Sequence, residues 1–513
     1  MSLGIAVMKR PLILSIDQGT TSSRALVFDS DGLPVSVSQS EFPQYFPESG
    51  WVEHDPEDIW RTTLDTARHA MSFAEQKTGG EVVAVGITNQ RETTLIWDRR
   101  SGEALSRAIV WQDRRTAPLC NELRKQGYLE ELERRTGLTI DPYFSGTKLR
   151  WMLDNVPGAA KLASEGHLAF GTIDSFLMSR LTGGVVHLTD ETNASRTLLY
   201  NIEKGGWDDE ILNLLEIPSS VLPAIVPSVS TFGTTSGELF GRSLPILGVA
   251  GDQQAAAFGQ TCWRPGMIKS TYGTGCFLLA NTGNEILRSN SGLLSTVACR
   301  VGDERQFALE GSIFIAGAVS QWLRDELKLI DEASETETLA SSLQSNQGVY
   351  LVPAFTGLGA PHWDSEARGA LFGLTRDTGR PVLARAALES VAYQTRDLVA
   401  ALVSDGVDVE AIRVDGGMVE NQWLIQFLAD ILSVRIDRPQ ITESTARGAA
   451  FLAGLGAGVF SGIDQLEALW KIDRQFKPNM AESHRNSLVS GWDNAVQATR
   501  FHAKLESKRK DNS

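Results

Sequence analysis

Three stretches of this sequence put reactive side chains where they can do chemistry. The first is Asp17 with the turn behind it, Gly19-Thr20-Thr21-Ser22-Ser23-Arg24, set between the apolar runs Leu12 to Ile16 and Ala25 to Phe28. That spacing predicts two strands joined by a tight turn. A turn of small residues exposes backbone N–H groups and hydroxyls at its tip, a donor-rich concavity suited to phosphate oxygens. Gly19 lets an anion approach the backbone. Asp17, at the end of the first strand, is placed to hold a hydrated Mg²⁺ beside such phosphates, and Arg24 to add a charge-assisted contact. Hairpins of the same composition also occur with no ligand, so the turn gains meaning only from what accompanies it.

The second stretch is Arg91-Glu92, within N-Q-R-E-T-T at 89–94, directly after the apolar run Val82 to Thr88. Polar residues at the carboxyl end of a buried strand mark where open α/β sheets bind ligands. Ala108 to Trp111 reads as a second, parallel strand emptying Gln112-Asp113-Arg114-Arg115 at the same edge, or as a plain surface loop with salt bridges. The third stretch runs from Ile246: a strand ends at Gly251, and Asp252 opens an Ala-rich helix beside Gln253 and Gln254. Free N–H groups at a helix N-terminus keep a carboxylate ionised. A plain cap would look the same, and the two glutamines at another polar strand end tip the reading towards a site.

The elements that must position these groups repeat. After residue 260 the chain restarts, with Met267 to Ser270 running into T-Y-G-T-G-C-F-L-L-A at 271–280. Strand, Gly/Thr turn, strand is the grammar of the opening hairpin, which predicts a duplicated α/β protein with a cleft between its halves. Asp55 and Pro56 predict a capped helix start. Leu119 to Thr136 reads as one charged amphipathic helix, 139–148 as a polar loop carrying Tyr143 with a helix from Lys148, and Asp190 to Arg196 as a small-residue loop. Later come a strand at 348–353, a loop at Gly357, a helix from Val382 to Val403, a strand and Gly-Gly turn at 412–421, and a small-residue helix from Ser444. The charged tail after Lys504 reads as frayed.

Composition bounds the partners. The chain has 513 residues, of which 42% are hydrophobic and 22% charged, a net charge of −15 and a pI near 5.1. That is ordinary for a globular protein of several domains. It argues against nucleic acid or an anionic membrane surface as partner, since both need clustered Lys and Arg. Cys120, Cys262, Cys276 and Cys299 are scattered without a CxxC pair and read as buried cytosolic thiols. The run Leu3 to Met8 precedes its basic residues, the wrong order for a signal peptide, and is too short to span a membrane. The sequence contains neither a G-x-x-x-x-G-K-[ST] loop nor the protein-kinase signature set.

Assembled in order, these stretches resemble the FGGY family of carbohydrate kinases, and its glycerol-specific branch most closely. D-Q-G-T-T-S-S-R (17–24), G-W-V-E-H-D-P (50–56), I-T-N-Q-R-E-T-T (87–94) and I-V-W-Q-D-R-R-T (109–116) carry the resemblance, with G-L-T-I-D-P-Y-F-S-G-T-K (137–148) and T-N-A-S-R-T (192–197). So do G-D-Q-Q-A-A (251–256), T-Y-G-T-G-C-F (271–277), A-F-T-G-L-G-A-P (354–361) and V-D-G-G-M-V-E-N (414–421). The resemblance implies two ribonuclease-H-like, actin-like ATPase α/β domains, at 10–258 and 259–475, followed by a C-terminal helix and tail at 476–513. It implies ATP-dependent phosphorylation of glycerol with Mg²⁺, in the cytoplasm, without membrane insertion, by a chain that assembles as a homodimer or homotetramer.

Carried onto this sequence, Thr20, Thr21 and Ser22 would meet the terminal phosphates and Arg24 the phosphate region. Asp17 and Asp252 would hold Mg²⁺. Arg91, Glu92, Tyr143, Asp252 and Gln253 would bond the glycerol hydroxyls, with Trp111 and Phe277 on its carbons. Thr274, Gly317, Gln321, Gly417 and Asn421 would line the adenine-nucleotide pocket, and Asp252 would be the general base. Relatives that bind fructose 1,6-bisphosphate or carry a regulatory phosphohistidine differ at one place. There this sequence has T-S-G-E-L-F-G-R-S at 235–243, without the glycine run or the histidine. Neither mechanism is expected here. A kinase for longer polyols would need a roomier pocket than Trp111, Tyr143 and Phe277 leave. An actin-like filament or chaperone ATPase would share the hairpins but has no use for N-Q-R-E-T.

Overall fold

The computed structural model describes residues 9–511, so the Leu3 to Met8 run lies outside the described residues. The opening stretch forms the expected hairpin. Strand Pro11–Gln18 pairs antiparallel with Ser22–Phe28, with Asp17 opposite Arg24. On its other side lie Glu81–Asn89 and then Pro245–Gly251, both parallel to the first strand. Gln18, Asn89 and Gly251 stand in register at one edge, so Asp17, Arg91 and Asp252 emerge side by side from three neighbouring strands.

The second half repeats this layout. Hairpin Ile268–Tyr272 and Cys276–Gly283 leads to the antiparallel strand Glu304–Ile313. Ala411–Asp415 and Arg435–Pro439 lie parallel on the far side. The two sheets join through the pairing of Val229–Thr234 with Leu294–Val301, which meet only at Val229 and Val301. A single backbone pair makes the 13-stranded sheet continuous in name but leaves two sheets whose polar edges face one space.

Helices fix these edges. Asp55 caps helix Pro56–Thr78, accepting from the Glu57 N–H at 2.9 Å, and Thr62 and Thr63 reach from it to Ser23 beneath the hairpin turn. Helix Ser444–Gly456 comes late in sequence yet packs on the first sheet, where Ser15 donates to the Ala446 carbonyl at 2.7 Å. The small-residue composition has a reason here. A Cβ on Gly86 would lie 2.2 Å from the Ala449 carbonyl oxygen, and one on Gly248 2.4 Å from the Ala453 nitrogen.

Several expectations are corrected. Ala108–Ile109 is a two-residue strand, antiparallel to Glu53–His54 and outside the main sheet, because the chain turns at Val110 to bring Trp111 over the cleft. The region 119–136 is two helices, Ala117–Lys125 and Leu129–Thr136, broken where Gly127 takes φ +86°. The helix expected from Lys148 begins at Ser145. The expected loop at Asp190 is a buried cap on the short helix Glu191–Ala194. The tail after Lys504 continues helix Glu482–Asp511. All four cysteines are free, and burial pushes the thiols of Cys120, Cys262 and Cys299 up to about 12. Among the described residues no helix is long and apolar enough to cross a membrane.

Candidate active site

Between the two polar edges lies a cavity of ≈ 310 Å³. Its walls bring together Asp17, Thr20, Thr21, Arg24, Arg91, Glu92, Trp111, Tyr143, Asp252, Gln253, Thr274 and Phe277, which are distant in sequence. A second hollow of ≈ 370 Å³ shares Gly273 and Thr274 with it and is lined by Gly317, Gln321, Gly417 and Asn421. Every candidate residue therefore lines one hollow or the other, except Ser22. A larger surface hollow of ≈ 540 Å³ around Leu119 and Trp151 contains none of them.

At one end the cavity is walled by buried charge. Arg91 projects from the strand end because Glu92 takes a left-handed backbone, φ 59°, which is costly for a non-glycine residue and is held here by its neighbours. Ser145 and Lys148 both donate to the Glu92 carbonyl, at 3.0 and 3.3 Å. The Arg91 Nε lies 3.2 Å from Asp252 Oδ1. Arg196 donates to Glu92 Oε1 at 2.7 Å. Burial raises the Asp252 carboxyl above the ordinary carboxylate range, against the opposing pull of Arg91 and Lys269. Asp252 is the first helical residue rather than the cap, and its own carboxylate accepts from the Gln253 N–H at 2.7 Å. The expected ionising effect of the helix terminus is thus outweighed by desolvation.

Aromatic rings supply the apolar walls. Trp111 meets Tyr143 and Phe277 edge to face, with centroids 5.7 and 6.0 Å apart. The Trp111 Nε1–H also donates to Thr20 Oγ1 at 2.9 Å, tying this wall to the first hairpin turn. Trp111→Phe keeps the ring stack but loses that bond. A net loss of about 1 kcal/mol is expected, read as a severalfold fall in kcat/KM, because a single intramolecular hydrogen bond contributes about 0.5–1.5 kcal/mol.

Lys269 is buried and faces the same wall from the second half. It donates to Gln253 Oε1, to Thr271 Oγ1 at 3.0 Å and to the Phe277 carbonyl at 3.2 Å. An ammonium has only donors, so the Gln253 oxygen must turn towards it and the Gln253 NH₂ is left for the cavity. Lys269→Met frees that amide to flip. The expected result is a rise of about tenfold in KM for the acceptor, the cost of about 1.4 kcal/mol for one lost oriented hydrogen bond.

At the other end stands the turn. The Gly19 N–H closes it on the Ser22 carbonyl at 2.9 Å. Ser22, the first residue of its strand, is not among the residues that line this cavity, and its hydroxyl accepts from Gln39 at 3.0 Å. Arg24 is held by Glu443 and lies 4.0 Å from Asp17. Burial pushes the Asp17 carboxyl up to about 6, with the nearby Glu443 and Asp252 carboxylates adding to the rise. Asp17 and Asp252 face one cavity, an arrangement that fits a hydrated Mg²⁺, which takes one or two carboxylates and completes its shell with water and phosphate oxygens. Among the described residues no group of three or more His, Cys, Asp or Glu is placed to hold a metal ion.

In the second hollow two glycines permit close backbone contact. A Cβ on Gly317 would sit 2.6 Å from the Gly273 carbonyl oxygen, and Gly416, at φ +90°, would place one 2.5 Å from the Tyr272 oxygen. Asn421 caps helix Gln422–Leu432, accepting from the Leu424 N–H at 2.9 Å.

Three charged residues of this site escaped sequence reasoning: Glu310, Arg196 and Lys269. Glu310 accepts from both Nη atoms of Arg91, at 2.5 and 3.0 Å, and from Arg196 at 2.9 Å. Those two guanidinium groups hold its carboxyl down to about 2 despite full burial. The signal was present, since Glu310 and Lys269 are lone charges inside apolar strand runs, F-A-L-E-G-S-I and M-I-K-S-T-Y.

The comparisons agree with this geometry. Residues 12–259 match the model of the FGGY family of carbohydrate kinases, N-terminal domain, and 268–457 that of its C-terminal domain. The chain is 57% identical over 495 residues to a glycerol kinase of Rhodospirillum centenum, covering 96% of this chain and 99% of that one. It is 56% identical over 491 residues to glycerol kinase 1 of Pseudomonas aeruginosa, again covering 96% and 99%. Among solved structures, Plasmodium falciparum glycerol kinase with ADP superposes with a TM-score of 0.88 at 37% identity, covering 96% of this chain and 98% of that one. A xylulose kinase from Lactobacillus acidophilus, at 22% identity, shares the fold with a TM-score of 0.84, covering 95% and 98%. Two duplicated sheets, a donor-rich turn on each and a charged cavity between them are thus the architecture of a known group, and the chain belongs to the FGGY family of carbohydrate kinases.

Proposed function

We propose that this chain transfers the γ-phosphoryl group of ATP to a primary hydroxyl of glycerol, giving sn-glycerol 3-phosphate and ADP, the first step of glycerol catabolism. The observation that carries the reading is the pairing of Arg91 and Asp252 at 3.2 Å in a cavity whose other wall is the phosphate turn. Glycerol is small and almost wholly polar, so its site needs fixed donors and acceptors. Arg91 and the Gln253 amide donate, Glu92 and Asp252 accept, and Trp111 and Phe277 cover the carbon chain. The aromatic walls of Trp111, Tyr143 and Phe277 favour a three-carbon polyol over a longer sugar.

In this reading Asp252 takes the proton of the attacking hydroxyl as the new O–P bond forms, because a neutral primary alcohol is a poor nucleophile. Thr20 and Thr21 orient the phosphate oxygens, while Gly317, Gln321, Gly417 and Asn421 hold the adenine nucleotide. Mg²⁺, held by Asp17 and Asp252, would neutralise charge on the phosphates. Closing the two halves would bring donor and acceptor into line and exclude water. The polyol and phosphate groups then belong to 10–258, the nucleotide pocket to 259–475, and 476–513 is a C-terminal helix and tail. The four free thiols support a cytoplasmic setting.

The test is ADP release from Mg·ATP with and without glycerol, beside a panel of pentuloses and longer polyols. Strong stimulation by glycerol alone is expected. Stimulation by a longer sugar instead overturns the substrate, and turnover indifferent to every polyol overturns the kinase reading.

A further inference from the structure

Glu310 is a fully buried charge beside the site. It lies in strand Glu304–Ile313 of the second half, fully inaccessible, and lines neither hollow. Its carboxylate nevertheless grips two arginines of the first half, Arg91 by both Nη atoms and Arg196 by one. Arg196 in turn holds Glu92. Four buried charges therefore form a closed chain, Glu92–Arg196–Glu310–Arg91, of which only Arg91 and Glu92 reach the cavity.

The geometry decides what Arg91 presents. With its two-nitrogen end engaged by Glu310, and Nη1 also bonded to Gln254 Oε1 at 3.2 Å, the Nε edge remains directed at Asp252. A guanidinium without that clamp would turn its fork, the better carboxylate ligand, onto Asp252 itself. The general base would then be locked in a bidentate ion pair. The same strand leaves Glu310 through Ile313 and reaches Gly317, a wall of the nucleotide hollow, only a few residues on.

We propose that Glu310 is a positioning residue for the acceptor pocket: reaching across from the second half, it clamps Arg91 and Arg196 and so fixes which edge of Arg91 meets the polyol and Asp252. This rests on the reading that the alcohol occupies the cavity beside Arg91. A salt bridge that merely joined the two halves would affect folding without favouring one substrate over the other. A positioning clamp acts on the alcohol selectively.

The experiment compares the full-length protein with Glu310→Gln and Glu310→Asp, measuring kcat, KM for the alcohol, KM for ATP and Tm. The alcohol is whichever member of the polyol panel supports turnover in the parent protein. Glu310→Gln keeps the volume but removes the charge. Its kcat/KM for the alcohol is expected to fall about 100-fold, the cost of misplacing a reacting group by about 1 Å. KM for the alcohol should rise at least about tenfold, while KM for ATP stays within about twofold. Glu310→Asp keeps the charge and withdraws it by one methylene. It is expected to hold Tm nearer the parent value while still raising KM for the alcohol, and it carries the test if the Gln variant does not fold. Parent values of KM for the alcohol in the folded variants, with kcat reduced only in proportion to the folded fraction, overturn the proposal. A parent protein whose turnover ignores every polyol overturns the underlying reading as well, and is recognised before any variant is made.

Discussion

Asp252→Asn is expected to lower kcat by at least about 1,000-fold while leaving a protein that folds and binds ATP. The amide keeps the shape of the carboxylate and can still accept a hydrogen bond from Arg91, but it cannot take a proton from the attacking alcohol. A positioned general base contributes about 100- to 10,000-fold, and this carboxylate also faces the phosphate end through its coupling to Asp17. The upper part of that range is therefore the relevant one.

The stability effect has the opposite sign. Burial raises the Asp252 carboxyl, so its ionised form is disfavoured in the folded protein relative to the unfolded chain. Removing that charge should leave Tm unchanged or higher. A dead variant with an intact or raised Tm separates chemistry from folding. A variant that keeps more than about a tenth of the parent kcat removes Asp252 as the base.

The same groups set the pH profile. Asp17 is pushed up to about 6, and Asp252 is raised in the same cavity. Both must be ionised for the proposed reaction, so kcat/KM is expected to fall as pH drops through about 6, well above the ordinary carboxylate range. For stability the sign is reversed. A folded-state pKa above the unfolded value means the folded protein binds the proton more tightly, so these two groups favour folding more as pH falls through that window. Raising Mg²⁺ favours the ionised carboxylates and should move the acid limb of activity to lower pH.

How much of this was legible in sequence follows from what each residue answers to. The hairpins, the parallel strands after them and the small-residue helices obey local rules, namely apolar runs, turn glycines and caps. They were read correctly at Asp17, Arg91, Asp252 and Thr274. Asp190 and its short helix were missed because the polar run 190–196 resembles a loop. Its Glu191 meets Arg300 and Arg305 from the second half, contacts made more than a hundred residues away in sequence. The break at Gly127 was smoothed over by a charge pattern that continues across it. Arg196 gives no local signal, and Glu310, although a lone charge in an apolar run, gives none of its partners, for a related reason. Each makes sense only when its partner is present, and no spacing rule predicts that a strand from one half will meet a turn from the other. Ser22 differs from its motif neighbours Thr20 and Thr21 in lying inside the second strand, where its hydroxyl is engaged by Gln39.

Arg91→Met is expected to be the most damaging single change, and for a different reason from Asp252→Asn. Arg91 is buried among Glu310, Asp252 and Glu92. Methionine fills much of the volume but leaves those carboxylates short of one positive charge in a low-dielectric interior. Breaking a buried pair from one side costs about 3–5 kcal/mol, far more than the roughly 1 kcal/mol expected for the Trp111 hydrogen bond. Tm should fall clearly, and turnover should no longer saturate with glycerol. Arg91→Lys divides the two effects. The ammonium restores a charge, so much of the stability returns. It cannot engage Glu310 with two parallel bonds and still direct a donor at Asp252, so saturation by glycerol should not return. Thermal denaturation beside glycerol titrations of ADP release reads both quantities in one protein preparation. If Arg91→Lys saturates at the parent KM, charge alone suffices at this position, and the fork geometry that places Arg91 between Glu310 and Asp252 does not decide how the alcohol is held.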